Sequence, residues 1–475
     1  MTLDLDLSRA WLVDPVRGRE GPAELVVRRG VVRSIRRLRG AEAAGIDDRG
    51  IVVAPAFTDL HAHFREPGNE AAETVASGMA AAAHGGFGTV CVMPNTDPAL
   101  DDPGALARLL DASLTLEGVA EDAWHPQVRA WAAVTVGREG LHLAPMAELA
   151  EAGAIGFSED GSPIRSAAMF RSALAYAGAL GLPIVDHAED PSLTEGAEAN
   201  EGLIATALGL KGWPAAAEVA AVARDIAILE DVVRDVPTAR LHLTHLSVGG
   251  SLELVRAAKA RGLPVTCDVT PHHLALSDEW LAGARRWAWD ALDEHGRRRD
   301  PWVDRALVAE TYETSTKVNP PLRSPEDALA CRRAVRDGTA DAIATDHAPH
   351  AVIDKAVEFG LASNGISGIE TALSVLLATV EAGELSLMEV VRALTAGPAR
   401  VLAGGDGSGR AELSEGASAS IVVFDRSANW QVSAGSMLSR GRNSPLLGRT
   451  LRGRVLLTTS MGFPTYRDPE LVAGA

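Results

Sequence analysis

The chain has 475 residues and carries 45 Lys plus Arg against 63 Asp plus Glu, a formal net charge of −18. That length supports a large core and more than one domain. An acidic chain without a basic tract argues against nucleic acid as a partner, and it repels an anionic ligand at long range unless local cations offset the field. The three cysteines, Cys91, Cys267 and Cys331, are widely spaced and form no CxxC pair. They fit a reducing cytoplasm better than a disulfide framework. The start, Met1-Thr2-Leu3-Asp4-Leu5-Asp6, lacks a basic region followed by an apolar stretch, and no apolar run is long enough to cross a membrane. A cytoplasmic protein with no membrane partner is expected.

In chain order, residues 1–50 alternate short apolar runs with charges, as in Glu24-Leu25-Val26-Val27-Arg28-Arg29-Gly30-Val31-Val32. They read as antiparallel strands with turns. The apolar run 51–57 reads as a buried strand leading into Asp59-Leu60-His61-Ala62-His63-Phe64-Arg65-Glu66-Pro67-Gly68. Successive strand side chains point to opposite faces, so Asp59, His61 and His63 share one face. Two imidazoles two residues apart can reach one metal ion, and imidazole suits zinc and similar metals. Arg65 adds a cation close by, which points to a metal site with an anionic substrate. A lone strand histidine is more often a satisfied structural residue than a ligand, so the residues downstream decide.

Further strands are expected at 89–93, 128–136, 154–158, 183–187, 240–245, 264–270 and 340–345, eight in all with 51–57. Ala-rich stretches of helical spacing lie between them, at 71–84, 103–111, 165–180, 215–235 and 251–261. This α/β alternation predicts a (β/α)8 TIM-like barrel over 55–399. A doubly wound sheet is the alternative, but no Gly-x-Gly-x-x-Gly follows the first strand. Residues 277–316, with Trp280, Trp287, Trp289 and Trp302 among many charges, read as an amphipathic helical insertion with a solvated face or an oligomer contact. Residues 410–460 again alternate like strands. The two ends, 1–54 and 400–475, are expected to form one small β-sandwich domain beside the barrel. Polar residues fall at the strand ends: His61, His63, Asn95, Asp160, His187, His245 and Asp346. Barrels carry their chemistry at the C-terminal strand ends, and so many costly polar groups on one rim are hard to explain structurally.

The motif Asp59–Gly68, Met93-Pro94-Asn95-Thr96, Phe157-Ser158-Glu159-Asp160-Gly161, Asp186-His187-Ala188-Glu189-Asp190, Thr244-His245-Leu246-Ser247, Lys317-Val318-Asn319-Pro320-Pro321-Leu322-Arg323 and Ala344-Thr345-Asp346-His347-Ala348-Pro349-His350 stand in this order. Together they resemble the type I bacterial dihydroorotases of the amidohydrolase superfamily, over essentially the whole chain. The resemblance implies that His61 and His63 bind the more buried zinc. It implies that Asp160 bridges two zincs, and that His187 and His245 bind the second. Asp346 would be the metal-bound carboxylate that moves the proton. Arg65, Asn95 and His350 would clamp the substrate's α-carboxylate, and Asn319 would line the pyrimidine ring. Glu159-Asp160 stands where the family often has two aspartates. The bridge is assigned to Asp160, 27 residues before His187. His242 competes with His245, but a spacing of three puts them on opposite strand faces.

The resemblance implies reversible cyclisation of N-carbamoyl-L-aspartate to L-dihydroorotate and water, in pyrimidine biosynthesis. One or two zinc ions per chain are expected, two being favoured. Zinc lowers the pKa of water to about 7 and so supplies a nucleophile. Asp346 would pass a proton between that nucleophile and the ring nitrogen. A homo-oligomer is expected, and association with aspartate transcarbamoylase is compatible with the resemblance. One rival is a hydantoinase or allantoinase, whose relatives usually bridge their metals with a carbamylated lysine. Here the lysines are only Lys211, Lys259, Lys317 and Lys355, none before position 211. Another rival is a non-catalytic scaffold that has lost its ligands, against which all six candidate ligands stand.

Overall fold

The computed structural model describes residues 1–114, 124–302, 311–403 and 411–469. Eight parallel strand positions form the barrel. They are Phe57–Ala62, Phe87–Val92, Gln127–Ala130 continued by Ala132–Ala133, Phe157–Ser158, Pro183–Asp186, Arg240–Leu243, Val265–Val269 and Ala342–Ile343. Each pairs in parallel with the next. A parallel bridge from Ala62 to His347 closes the ring, beside a His63 N–H donated to the His347 carbonyl at 2.8 Å. The third strand breaks at Trp131. Its first half pairs back to the second strand and its second half forward to the fourth. The fully buried Trp131 indole holds that break by donating to the Leu60 carbonyl at 2.9 Å.

The barrel helices begin where sequence provides caps. Thr74 and Ser77 form a capping box at Val75–His84, and Ser166 caps Ala167–Ala179. Ser324 caps Pro325–Asp337 with proline in the first turn. A capping oxygen satisfies an N–H that otherwise lacks a partner, so these positions fix where each crossover begins.

The expected strand 51–57 divides in two. Ile51–Pro55 pairs antiparallel with Ile421–Gln431 and in parallel with Leu5–Asp14, so it belongs to the flanking sheet. The chain then steps at Ala56, and Phe57–Ala62 starts the barrel. Both strands are buried on both faces, so no change of hydrophobic period marks the step.

The flanking sheet has seven strands. In order they are Phe463–Arg467, Thr450–Ser460, Ile421–Gln431, Ile51–Pro55, Leu5–Asp14, Arg19–Arg28 and Val31–Arg37. It curls until Val31 bridges to Ser418, and Gly30 meets Gly462. Both glycines have positive φ, and a Cβ on either would stand within 2.6 Å of the other's carbonyl oxygen. Alternation sorts the side chains. Ile421 and Val423 face the curled sheet's own core with Leu25, Val27 and Leu457, whereas Val422 and Phe424 join the barrel core. The expected boundary at residue 400 falls inside helix Ala396–Ala403, and 404–410 lie outside the described residues.

The expected helical insertion at 277–316 is different in structure. Its described part holds the short 3-10 turns Asp278–Ala282 and Thr314–Thr316 with irregular chain between, and 303–310 lie outside the described residues. Gly283 at φ 92° ends the first turn, a conformation a continuing helix excludes. The tryptophans turn inward. Trp280 is fully buried, Trp287 stacks on Trp289 at 5.3 Å, and the Arg449 guanidinium lies 4.8 Å from the Trp287 ring. The charges pair locally, Arg298 with Asp278 and Glu279. Only Trp302 is exposed among these four tryptophans.

Candidate metal centre and its cavity

The C-terminal ends of the barrel strands bring His61, His63, Asp160, His187, His245 and Asp346 together, all buried. His61 Nε2 lies 3.2 Å from His63 Nε2, and His63 Nε2 lies 3.1 Å from Asp346 Oδ1. His187 Nδ1 lies 3.0 Å from His245 Nε2. Asp160 stands between these groups. Its Oδ2 is 3.3 Å from His61 and 3.5 Å from His63. Its Oδ1 is 3.4 Å from His187 and 3.3 Å from His245. Two groups within it, His61–His63–Asp346 and His61–Asp160–His245, have donor atoms close enough to hold a metal ion.

The far ring nitrogens show which way each histidine is turned. His61 Nδ1 donates to Thr244 Oγ1 at 2.8 Å, because Thr244 spends its own proton on Asp268. His63 Nδ1 donates to Asn95 Oδ1 at 2.9 Å, and His187 Nε2 to Glu189 at 3.0 Å. A neutral ring that donates on one nitrogen presents a lone pair on the other. Three rings therefore aim lone pairs at the same small volume. Lone pairs about 3 Å apart repel unless a cation lies among them, and such outer partners are the usual support of metal-binding histidines. The donor set of imidazoles and carboxylates suits a divalent metal ion.

The same volume draws protons when no metal ion occupies it. Burial opposes a charge on His61, yet Asp160 and Asp346 hold its pKa up to about 9. Burial likewise opposes a charge on His187, and Asp160 and Glu189 lift it to about 10. Burial works against ionisation of Asp160 and Asp346 too, but the surrounding histidines hold both well below the usual carboxylate range. A field that attracts protons this strongly attracts a metal ion, which takes their place.

His245 and Asp346 have φ of 40° and 46°, and Arg65 has 60°. Left-handed backbone at such residues costs about 1–3 kcal/mol each and persists where neighbours over-determine it. The His245 N–H is held by Asp268 Oδ1 at 2.6 Å. Asp59 accepts from the Thr345 N–H at 2.9 Å and the His61 N–H at 3.2 Å, fixing the chain on either side of the cluster. Burial pushes the Asp59 carboxyl up to about 6, against those hydrogen bonds.

A cavity of about 190 Å³ opens onto the cluster, lined in part by Arg65, Asn95, Asn319, His350, Asn364 and Gly365. Arg65 Nε donates to the Pro349 carbonyl at 3.2 Å, and Nη1 carries no hydrogen bond to the described residues. Asn95 spends its oxygen on His63, which leaves its NH2 as a donor beside Gly161. His350 Nε2 lies 2.7 Å from the Asn364 carbonyl and 3.4 Å from Arg65 Nη2. Burial and the Arg65 charge lower its pKa to about 3, so the ring is neutral. Asn319 donates to Glu189 at 3.2 Å, and its oxygen is buried without a partner. His61, His63, Asp160, His187, His245 and Asp346 thus lie in the cluster, and Arg65, Asn95, Asn319 and His350 line the cavity above it.

Sequence reasoning missed the supporting residues. Thr244 and Glu189 sit inside quoted motifs, next to His245 and two after His187, and their spacing was the available signal. Asp268 had none, because its partners His242, Thr244 and His245 come from a neighbouring strand. His242 lies behind the cluster, bonded to Asp268 and Thr266 at 2.8 Å each.

Comparison with known proteins gives the same picture. A family model described as "Dihydro-orotase-like" matches residues 50–235. A dihydroorotase of Anaeromyxobacter dehalogenans (strain 2CP-1 / ATCC BAA-258) is 44% identical over 461 residues, covering 97% of each chain. A dihydroorotase of Syntrophus aciditrophicus (strain SB) is 39% identical over 465 residues, covering 96% of this chain and 98% of its own. In fold, the chain is similar to an L-hydantoinase (dihydropyrimidinase) from Arthrobacter aurescens, with a TM-score of 0.77 at 22% identity over 98% of this chain and 96% of that one.

Proposed function

The chain belongs to the dihydroorotase family, and from that premise we propose that it interconverts N-carbamoyl-L-aspartate and L-dihydroorotate with zinc held by His61, His63, Asp160, His187, His245 and Asp346. One observation carries this reading: the two oxygens of Asp160 face different histidine pairs on the floor of a cavity whose wall offers Arg65 and Asn95 as donors. That arrangement would let Asp160 and both histidine pairs hold metal, one or two ions per chain. Zinc held there would lower the pKa of water to about 7 and polarise a carbonyl.

The chain's own residues do the rest. Arg65 Nη1 and Asn95 Nδ2 bind the α-carboxylate, and His350 Nε2 joins them by exchanging the Asn364 carbonyl for the substrate. A guanidinium fixes a planar carboxylate with directional hydrogen bonds, which orients the ring. Asn319 lines the ring from the far wall. Asp346, ionised and facing the cavity, takes the proton from water during hydrolysis and gives it to the leaving ring nitrogen. In ring closure it takes the proton from the ureido nitrogen. Orientation of the flexible open-chain substrate supplies much of the closing rate.

The lysine-bridged hydantoinase reading has no support in this cluster, since Lys211, Lys259, Lys317 and Lys355 supply none of its groups. Exposed apolar side chains at Val352, Ile353 and Leu361, beside the loop that carries Asn364, support a covered face in a homo-oligomer. The test is a metal count with a dihydroorotate hydrolysis assay on the purified chain, before and after chelation. One or two zinc ions per chain and activity lost with the metal are expected. A fully active, metal-free preparation overturns the proposal.

A further inference from the structure

We propose that Glu189 is a positioning residue that aims two groups at once, the His187 ring at the metal cluster and the Asn319 carboxamide oxygen at the substrate ring. The inference rests on the hydrolase reading above and deepens it by saying how the ring is recognised. Glu189 Oε2 lies 3.0 Å from His187 Nε2 and 3.2 Å from Asn319 Nδ2, and Oε1 accepts from Thr194 Oγ1. The carboxylate is buried.

An amide NH2 only donates, and both carboxylate oxygens of Glu189 are set against donors, Asn319 Nδ2 on Oε2 and the Thr194 hydroxyl on Oε1. In the metal-loaded protein His187 would keep its proton on Nε2, toward Glu189, and turn Nδ1 to the cluster beside Asp160. Asn319 is fixed with its NH2 on Glu189 and its Oδ1 on the opposite side. That oxygen is buried with no hydrogen-bond partner, and Asn319 lines the cavity. A buried acceptor left unpaired is costly and is best explained by a partner that arrives with the ligand. Dihydroorotate carries ring N–H groups that can supply the donor. Without Glu189 the carboxamide is free to turn over and offer a donor where the ring also offers a donor. Asn319 thus reads a ring N–H because Glu189 holds it still.

The two limbs of this arrangement separate in a mutant cycle on the full-length, zinc-reconstituted protein. Metal content and the KM for dihydroorotate are measured for each variant, with calorimetric dihydroorotate affinity where turnover is lost. Glu189→Ala is expected to lower metal affinity about 10–100-fold through His187. It also raises KM about 10-fold, the worth of one well-made hydrogen bond. Asn319→Ala should raise KM by a similar factor with metal content unchanged. In the double variant, KM should stay within about twofold of Asn319→Ala, because groups acting through one contact are not additive. The metal loss of Glu189→Ala should persist there. Glu189→Gln keeps an oxygen toward His187 and Asn319 and turns its NH2 to the Thr194 hydroxyl. It should therefore rescue both readouts to within about threefold of wild type, and it serves as the folded control. Multiplicative KM effects overturn the link through Asn319. Unchanged metal content in Glu189→Ala overturns the link through His187. A wild-type protein that neither binds nor hydrolyses dihydroorotate defeats the hydrolase reading instead, and the metal contents still decide the His187 limb.

Discussion

At the scale of single residues, the cluster histidines His61, His63 and His187 are each held by a partner on the far nitrogen, and that partner decides what the near nitrogen can do. Thr244 is the clearest case. It accepts from His61 and donates to Asp268, so its hydroxyl is spent in both directions. Thr244→Val keeps the shape and removes the acceptor. Metal affinity should fall about 10–100-fold, the usual cost of losing such a partner. Titration with a competing chelator reads this directly, and unchanged affinity would show that the His61 ring needs no support. Asp346 is a different kind of residue, close to His61 and His63 yet lining the cavity. Asp346→Asn should leave the melting temperature near wild type while turnover falls at least about 10²–10⁴-fold, since an amide cannot take the proton. Turnover within about threefold of wild type, far short of that range, contradicts the role given to Asp346.

At the scale of elements, the strand ends position the chemistry and the loops shape the cavity. Lys355 ties three loop carbonyls together, those of Thr314, Lys317 and Ser363, at 3.0, 3.2 and 2.6 Å. These belong to the segments leading to Asn319 and Asn364. Burial, with Lys317 and Arg65 nearby, lowers the Lys355 pKa to about 7. The sign follows from the direction of that shift. An unfolded lysine keeps its proton up to about 10.4, so between pH 7 and that value the unfolded state binds more protons and stability rises with pH. Lys355→Met should lose this rise, and the wild type should gain stability relative to it as pH goes from about 7 toward 10. Denaturant melts across that range test the sign, and parallel curves refute it. The same variant should raise KM by loosening the wall between Asn319 and Asn364. Much of this level was legible in the sequence. The strands and their terminal histidines and aspartates follow from apolar runs ending in polar residues. The step at Ala56 was not legible, because Ile51–Pro55 and Phe57–Ala62 are equally apolar and belong to different sheets. The 277–316 stretch misled because its mixed apolar and charged spacing resembles an exposed helix. The burial of Trp280 and Trp287 depends on Arg449, far along the chain. Asp268 was illegible for the same reason, its partners coming from the adjacent strand.

At the scale of the whole molecule, the first and last segments of the chain meet in one sheet that packs against the barrel. Ile51–Pro55, the middle strand of that sheet, comes immediately before the strand that carries His61, so the chain runs directly from sheet to cluster. Phe424 of the sheet lies 6.3 Å from Phe57 of the barrel, and both are fully buried. We propose that 1–54 and 400–475 form a domain in the topological sense while melting with the barrel as one cooperative unit. Phe424→Ala should destabilise the protein by about 3–5 kcal/mol, the range for truncating a buried aromatic. A single transition should persist, and a second one appearing in calorimetry would mean the sheet and barrel melt separately. A net charge of −18 repels a carboxylate substrate from a distance, which is why short-range cations such as Arg65 are proposed to recognise it.

The cavity is proposed to select a carboxylate-bearing dihydropyrimidine, and a direct comparison of two substrates tests this selection. Dihydroorotate and dihydrouracil differ by the α-carboxylate that Arg65, Asn95 and His350 are proposed to bind. Steady-state kcat/KM for both, measured on one zinc-loaded preparation, should favour dihydroorotate by at least about 10³, the order expected when a site built for a polar group meets an analogue lacking it. Comparable values for the two substrates would contradict the clamp and return the chain to the hydantoinase-like reading.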